Sequence, residues 1–436
     1  MYESMLMLNQ WWESERISEE KAKPYKREVF RKVLDTFRKY RQTIVLTGLR
    51  RVGKTTMMYQ IIEDLLHRGE SAQNILYFSF DLPCQSIMEL LKEYRKITKV
   101  DWRKEKVYLF LDEIHKLKNW SAELKTIYDS LPNIKIVISG SAGINLEKNA
   151  AKNLAGRHFK FEIEPLTLRE FAELYYGREM QSYEIENINL EPIFDEYVRK
   201  PFPEIVHYDP TRVREYIQSF VVEKVLFSDL VDIFPKTDPY LLKMLFRLFL
   251  KEVGIILNIT TLSEKLHVSK ENMRHHLFLL EFSKVIRIIR NYRPSVFAES
   301  RKLQKVYPYH PALAYAYYDD INEDKVVESL VLSKLGIQHY FRERSREVDF
   351  LKVDKNGILP IEVKNTKKVE ATKLRSLQWF MSKYNISKAW VIYLGDDKIE
   401  KQNGITVHYK SLYKLLYSGI EGGNDTGLRT ASYRDL

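Results

Sequence analysis

The chain has 436 residues, of which 44% are hydrophobic, 30% charged and 13% aromatic. That length suggests roughly three domains, and that aromatic content excludes a globally disordered polymer. A single cysteine, Cys84, excludes an intramolecular disulfide and any cysteine-built zinc cluster, while a net charge of +11 raises the expectation of a polyanionic partner.

Residues 1–25 read as a polar N-terminal segment, apart from Trp11 and Trp12. The opening residues lack the basic-then-apolar pattern of a secretory signal. No apolar run approaches the roughly 18 residues of a membrane helix. A cytoplasmic protein without membrane contact is therefore expected. Over residues 26–180, short apolar runs at 43–47, 75–80, 107–111 and 134–138 alternate with amphipathic helical stretches. Buried parallel strands in a layered α/β sheet read this way. Residues 181–300 turn helical, residues 301–418 mix strands and helices, and residues 419–436 form an aperiodic tail.

The first run feeds directly into Gly48-Leu-Arg-Arg-Val-Gly53-Lys54-Thr55, which matches G-x-x-x-x-G-K-[ST] in full. The glycines let backbone N–H groups curl around a phosphate, and the following helix presents the positive end of its dipole. Gly48, Arg51, Val52, Gly53, Lys54, Thr55 and Thr56 are the expected nucleotide contacts. Lys54 would reach the β- and γ-phosphates and Thr55 would hold Mg²⁺. Arg50 and Arg51 either steer nucleotide or face solvent. The third run ends in Asp112-Glu113, two carboxylates at the strand end where α/β sheets bind ligands. Asp112 would support the magnesium and Glu113 would polarise the attacking water. The fourth run ends in Ser139-Gly-Ser141, either an ordinary loop or a hydroxyl for the γ-phosphate. Arg157 is either a phosphate sensor, an intersubunit finger or a surface arginine.

These segments, followed by Leu154-Ala-Gly-Arg157 and Pro165-Leu-Thr-Leu-Arg-Glu-Phe171, resemble the prokaryotic and archaeal AAA-type ATPases. The resemblance is to the subgroup with a winged helix and a nuclease-like C-terminal domain, and it runs from about Tyr25 to Tyr417. It implies ATP over GTP and a site using ATP and Mg²⁺. One departure is Arg199-Lys200-Pro201-Phe202-Pro203-Glu204, where many relatives carry two glycines before Phe-Pro.

Further along, Thr261–Leu266, a turn capped by Ser269, Lys270–Glu281 and a strand from Val285 read as a winged helix. In DNA binders the second helix enters the major groove, which makes Lys270 and Arg274 candidate contacts to double-stranded DNA. The alternative is a helix that packs on protein. His275-His276 point apart on a helix and fall short of a metal set. Finally, Glu328, Asp349, Glu362 and Lys364 resemble the acid and lysine set of the PD-(D/E)xK nuclease fold, whose carboxylates hold Mg²⁺ over a phosphodiester.

The expected fold class is α/β, with a P-loop NTPase parallel-sheet core, a helical and winged-helix middle region and a C-terminal nuclease-like α/β domain. The expected function is an ATPase that drives a conformational switch, with ATP/ADP as ligands. Double-stranded DNA or a protein partner and oligomerisation remain open, as do the alternatives of an ATP-gated nuclease and a protein-binding scaffold.

Overall fold

A computed structural model describes residues 1–140, 153–181, 184, 189–293, 300–355, 357–402 and 404–417. Ser141 and the tail lie outside the described residues.

The apolar runs of the first half become five parallel strands, β1 (Thr43–Thr47), β2 (Ile75–Ser79), β3 (Val107–Asp112), β4 (Ile134–Gly140) and β5 (His158–Glu162). Their order in the sheet is β2-β3-β4-β1-β5. Every residue of β1 and β3 is buried, which explains why they read as continuous apolar runs rather than alternating ones. Helices cover the sheet, among them α1 (Phe30–Lys39), α2 (Lys54–His67), α3 (Ile87–Thr98) and α4 (Trp120–Ser130). The crossover order sets β4 between β1 and β3. Register then aligns Leu46 with Ser139, Leu111 with Ile138 and Asp112 with Ser79, so the strand tips form one ledge.

Residues 1–25 are not a separate polar segment. They cover the outer edge of the sheet at β2. The Asn9 amide donates to Tyr77 O at 2.9 Å and accepts from Tyr77 N–H at 2.7 Å, as a neighbouring strand would. Trp11 and Trp12 are buried, and both indole N–H groups donate to Ile75 O. The edge is thus blunted by side chains instead of a further strand.

After α5 (Leu168–Tyr176), a helical run spans 210–233. It winds wider, with i→i+5 bonds, over Tyr216–Glu223 and Val225–Asp229. Next come α6 (Pro239–Lys251), β6 (Ile255–Leu257), α7 (Ile259–Lys265), α8 (Lys270–Phe282), β7 (Ile286–Asn291) and β8 (Ser300–Pro308). Strand β8 pairs antiparallel with both β6 and β7. A domain boundary at 300 would therefore cut a hairpin that buries Ile286, Ile289 and Val306.

The remainder is α9 (Glu323–Leu335), β9 (His339–Glu343), β10 (Arg346–Asp354), β11 (Gly357–Lys364), α10 (Arg375–Lys383), β12 (Lys388–Tyr393), β13 (Lys398–Gln402) and β14 (Ile405–Ser411). Strand β7 pairs with β9, so the middle and C-terminal strands share one nine-stranded sheet ordered β13-β14-β12-β11-β10-β9-β7-β8-β6. None of the described helices is long and apolar enough to cross a membrane.

Removing the edge cover should cost stability without touching the strand tips. Asn9→Ala leaves the buried N–H and C=O of Tyr77 without their side-chain partner, and we expect a loss of about 1–3 kcal/mol in urea unfolding.

Candidate nucleotide site

The glycine loop leaves β1 at Thr47 and closes on the first turn of α2. At Gly48, a side-chain Cβ would lie 2.2 Å from Ile163 O, so only glycine lets the loop pass the segment after β5. Gly53 has φ +99°, in the left-handed region, and space is open around it. Lys54 is buried, and its Nζ donates to the carbonyls of Gly48 at 3.1 Å and Leu49 at 3.0 Å. Burial pushes the lysine pKa down, while Glu113 and Asp112 oppose that shift.

Asp112 is the hub of the ledge. Its Oδ2 accepts from Thr55 Oγ1 at 2.7 Å and from the Tyr77 hydroxyl at 2.9 Å. Its Oδ1 accepts from the Ser139 hydroxyl and from Glu113 N–H at 3.1 Å. Burial and the neighbouring Glu113 raise the Asp112 pKa, and the three hydroxyl donors pull it back. An oxygen-only set of a threonine hydroxyl and a carboxylate suits a hard cation such as Mg²⁺. Glu113 itself sits at φ 49°, ψ 37°, a left-handed backbone that a side chain rarely adopts. Its carboxylate lies 3.2 Å from His115 Nδ1. His115 is buried, and burial lowers its pKa.

The loop arginines face neither solvent alone nor the ledge. Arg50 Nη1 donates to Asp229 Oδ2 at 3.0 Å, and Asp229 is buried on the helical run. Arg51 lies 3.6 Å from Glu204 and stacks over Tyr216 and Phe220. Both partners of the stack lie where the run winds wide, a geometry frequent at functional positions.

A second anchor, which no motif announces, holds the loop from behind. Arg27 is buried, and its Nη1 donates to Val52 O at 2.8 Å. The same guanidinium grips Glu170 through Nε at 2.7 Å and Nη2 at 2.8 Å, and also reaches Glu164 O. Glu170 closes the capping box of α5 with Thr167. Burial pushes the Glu170 carboxyl up, but Arg27 and the N–H groups of Thr167 and Glu28 outweigh it and hold the pKa below its ordinary value.

Arg157 stands apart from this cluster. Thr43 at the start of β1 donates its N–H to Arg157 O, at the end of the sheet opposite the loop, and Arg157 Nε pairs with Asp129 at 2.7 Å. Its own chain thus places it at the far end of β1 from the glycine loop. Lys270 and Arg274 are exposed on α8. His276 is fully engaged, donating from Nδ1 to Asn272 O at 2.9 Å and accepting Asp238 N–H at Nε2 at 3.0 Å.

The C-terminal acids do approach one another across β10, β11 and α9. Lys364 Nζ lies 2.6 Å from Glu362 and 3.7 Å from Asp349. Asp349 Oδ2 also accepts Val363 N–H at 2.9 Å. Burial, then Asp349, push Glu362 up to about 8. Glu328 has both oxygens taken, by Lys325 at 2.6 and 2.8 Å and by the Tyr307 hydroxyl at 2.8 Å. Among the described residues no group of three or more His, Cys, Asp or Glu could hold a metal ion.

A family model described as an AAA domain matches residues 40–172, the stretch that contains the loop and the ledge. Residues 193–324 and 320–413 match two domains of unknown function, DUF8612 and DUF4143. Their junction near 320, like the β7–β8 hairpin, puts the end of the middle region beyond 300. An uncharacterized protein of Haemophilus influenzae is 26% identical over 250 residues, which cover 54% of this chain and 59% of that protein. Protein MJ1544 of Methanocaldococcus jannaschii, also uncharacterized, is 26% identical, with 70% of this chain and 71% of that one aligned. Among solved structures, the ORC2 protein of Aeropyrum pernix in its ADP form overlaps with a TM-score of 0.35 at 11% identity, covering 68% of this chain and 92% of that one. PCH-2 of C. elegans overlaps with a TM-score of 0.27 at 15% identity, covering 44% and 55%. The chain is α/β, with a parallel-sheet core of P-loop NTPase fold, within which residues 40–172 match the AAA domain model, and a separate mixed sheet.

Breaking the rear anchor leaves one buried charge alone. Glu170→Gln should destabilise the protein by about 3–5 kcal/mol in urea unfolding at pH 7. Because the folded pKa of Glu170 is depressed, its contribution is complete above the unfolded carboxylate value of about 4.3. It is lost as pH falls through the lower folded value. The wild-type protein should show this acid loss, and Glu170→Gln should show less of it.

Proposed function

We propose that the chain binds and hydrolyses Mg-ATP and uses the nucleotide to change how the helical run 210–233 seats on the loop. The observation that carries this reading is the convergence of Lys54, Thr55, Asp112, Glu113 and Ser139 on one ledge of strand tips. Lys54 would exchange its bonds to the Gly48 and Leu49 carbonyls for phosphate oxygens. Thr55 and Asp112 would hold the magnesium, whose chemistry is to neutralise charge building up between the β- and γ-phosphates. Glu113 would orient the attacking water, and Ser139 would face the terminal phosphate. Arg50 ties this site to the helical run through Asp229, which gives hydrolysis a mechanical output.

The order α6-β6-α7-α8-β7-β8 supports a winged-helix reading of the middle region, with Lys270 and Arg274 exposed for double-stranded DNA. Arg157, paired with the exposed Asp129 and bonded to Ala155 O, is a candidate finger toward a neighbouring subunit. The order α9-β9-β10-β11-α10-β12 supports a nuclease-like fold for the C-terminal region. With Glu328 saturated by Lys325 and Tyr307, we assign that region a structural or binding role in preference to cleavage.

ATP turnover measured with and without duplex DNA tests the reading. Glu113→Gln should lower kcat by about 10²–10⁴-fold with nucleotide still bound, whereas Lys54→Ala should lose binding. Turnover indifferent to duplex DNA would shift the partner to a protein. Asp229→Asn should keep nucleotide affinity but abolish any nucleotide-dependent change in hydrogen exchange over 216–229. An unchanged response in that variant would disprove the coupling through Arg50.

A further inference from the structure

At the far edge of the nine-stranded sheet, one face runs from the core out to solvent. On β11 that face carries the buried Ile361, which belongs to the main core. The next strands continue the face outward through the register Ile361↔Trp390, Trp390↔His408 and Ile399↔His408. A row of Trp390, His408 and Ile399 therefore crosses β12, β14 and β13. Trp390 and His408 are half-buried, Trp390 with one side packed against the main core, while Ile399 is 59% exposed, an unusual position for isoleucine on a strand.

Lysines flank this row on both sides. Lys388 and Lys401 both align with Thr406, one step along the strands from the row, and are exposed. Lys410 lies one step the other way, with its Nζ over the Trp390 ring at 5.5 Å. Burial lowers the His408 pKa, and Lys388, Lys410 and Lys401 lower it further, so all three charges bear on the same spot. No carboxylate occupies this face in the described residues of β12, β13 and β14. The adjacent Asp397 is turned to accept Ser411 N–H at 2.5 Å.

Spacing decides what such a face would take. Adjacent strands lie about 4.8 Å apart, so the ring-bearing row is roughly 10 Å long, and the lysines stand about 6.7 Å to either side of it. Two rings and an isoleucine in a row, bordered by cations, match a chain that offers base faces in the middle and phosphates at the margin. Unpaired bases expose their faces; paired ones do not. We propose that this sheet face binds single-stranded nucleic acid, with bases over Trp390 and His408 and phosphates at Lys388, Lys401 and Lys410. The proposal does not depend on ATP hydrolysis or on duplex contact through α8.

The test is fluorescence anisotropy of a labelled 12-nucleotide oligo-dT with the full chain, titrated across salt. The triple variant K388A/K401A/K410A should bind more weakly, and the slope of log affinity against log salt should fall by about 2, at roughly 0.7 for each phosphate that no longer meets a lysine. Trp390→Ala should weaken binding about tenfold. Trp390→Phe, which keeps a ring, should restore most of it. Lys270→Ala with Arg274→Ala should leave oligo-dT binding unchanged, which separates this face from α8, and Lys54→Ala should leave it unchanged too. The proposal is overturned if wild-type protein does not bind the oligonucleotide, or if the triple variant binds it with the wild-type slope. It is equally overturned if a duplex of the same length competes as well as the single strand.

Discussion

A buried guanidinium, Arg27, is the constraint on which the nucleotide loop depends. It bonds the carbonyl of Val52 inside the loop, the carbonyl of Glu164 after β5, and both oxygens of Glu170 on α5. A charge taken out of water is tolerable only when its partners are complete. Here the partners come from three separate stretches of chain, so the charge can be satisfied only when all of them are in place. Glu164 then passes the constraint on, because Arg287 Nη2 donates to it at 3.0 Å and the Tyr309 hydroxyl at 2.8 Å. Lys284 pairs with the neighbouring Glu162. The strand end beside the loop is thereby fastened to the middle region as well as to the sheet.

This places the nucleotide site between two kinds of contact. Behind the loop, Arg27 and Ile163 are buried, and the half-buried Glu162 and Glu164 are densely bonded. In front of it, Arg50 and Arg51 reach the helical run through one ion pair and a stack of rings. Under the proposed function, a change in the charge held by the loop would act first on the lighter set, and the helical run would be the element to respond. Asp229 adds a second link, since its charge also bears on His115, next to Glu113.

The parts legible in the sequence were local ones. The glycine loop, Lys54, Thr55 and the Asp112–Glu113 pair are contiguous or sit at strand ends, where a short spelling carries the geometry. Ser139 was half legible, because Ser-Gly-Ser reads equally as a loop, and it is the β4 position between β1 and β3 that brings its hydroxyl to Asp112. Arg27, Tyr77 and Asp229 were not legible. Each acts on a partner at least 25 residues away, and no periodicity marks such a pairing. The place of Arg157 was not legible for the same reason. Its motif is adjacent in sequence to the core, but parallel pairing of β5 with β1 carries it to the opposite end of the sheet. The acids of the C-terminal region were read correctly as neighbours, but Lys325, which neutralises Glu328, carried no signal of its own.

Asn9 has a counterpart at the seam between the two later regions. Strands β7 and β9 meet through only Arg290↔His339 and Asn291↔Tyr340 in register. The buried Asn291 side chain extends that short ladder, donating to Arg342 O at 3.0 Å and accepting Arg342 N–H at 2.8 Å. One amide thus completes a joint that would otherwise need another strand residue. Asn291 thus sets the register of this joint. A substitution that kept the strand but lost the amide would leave the N–H and C=O of Arg342 without their side-chain partner at the seam.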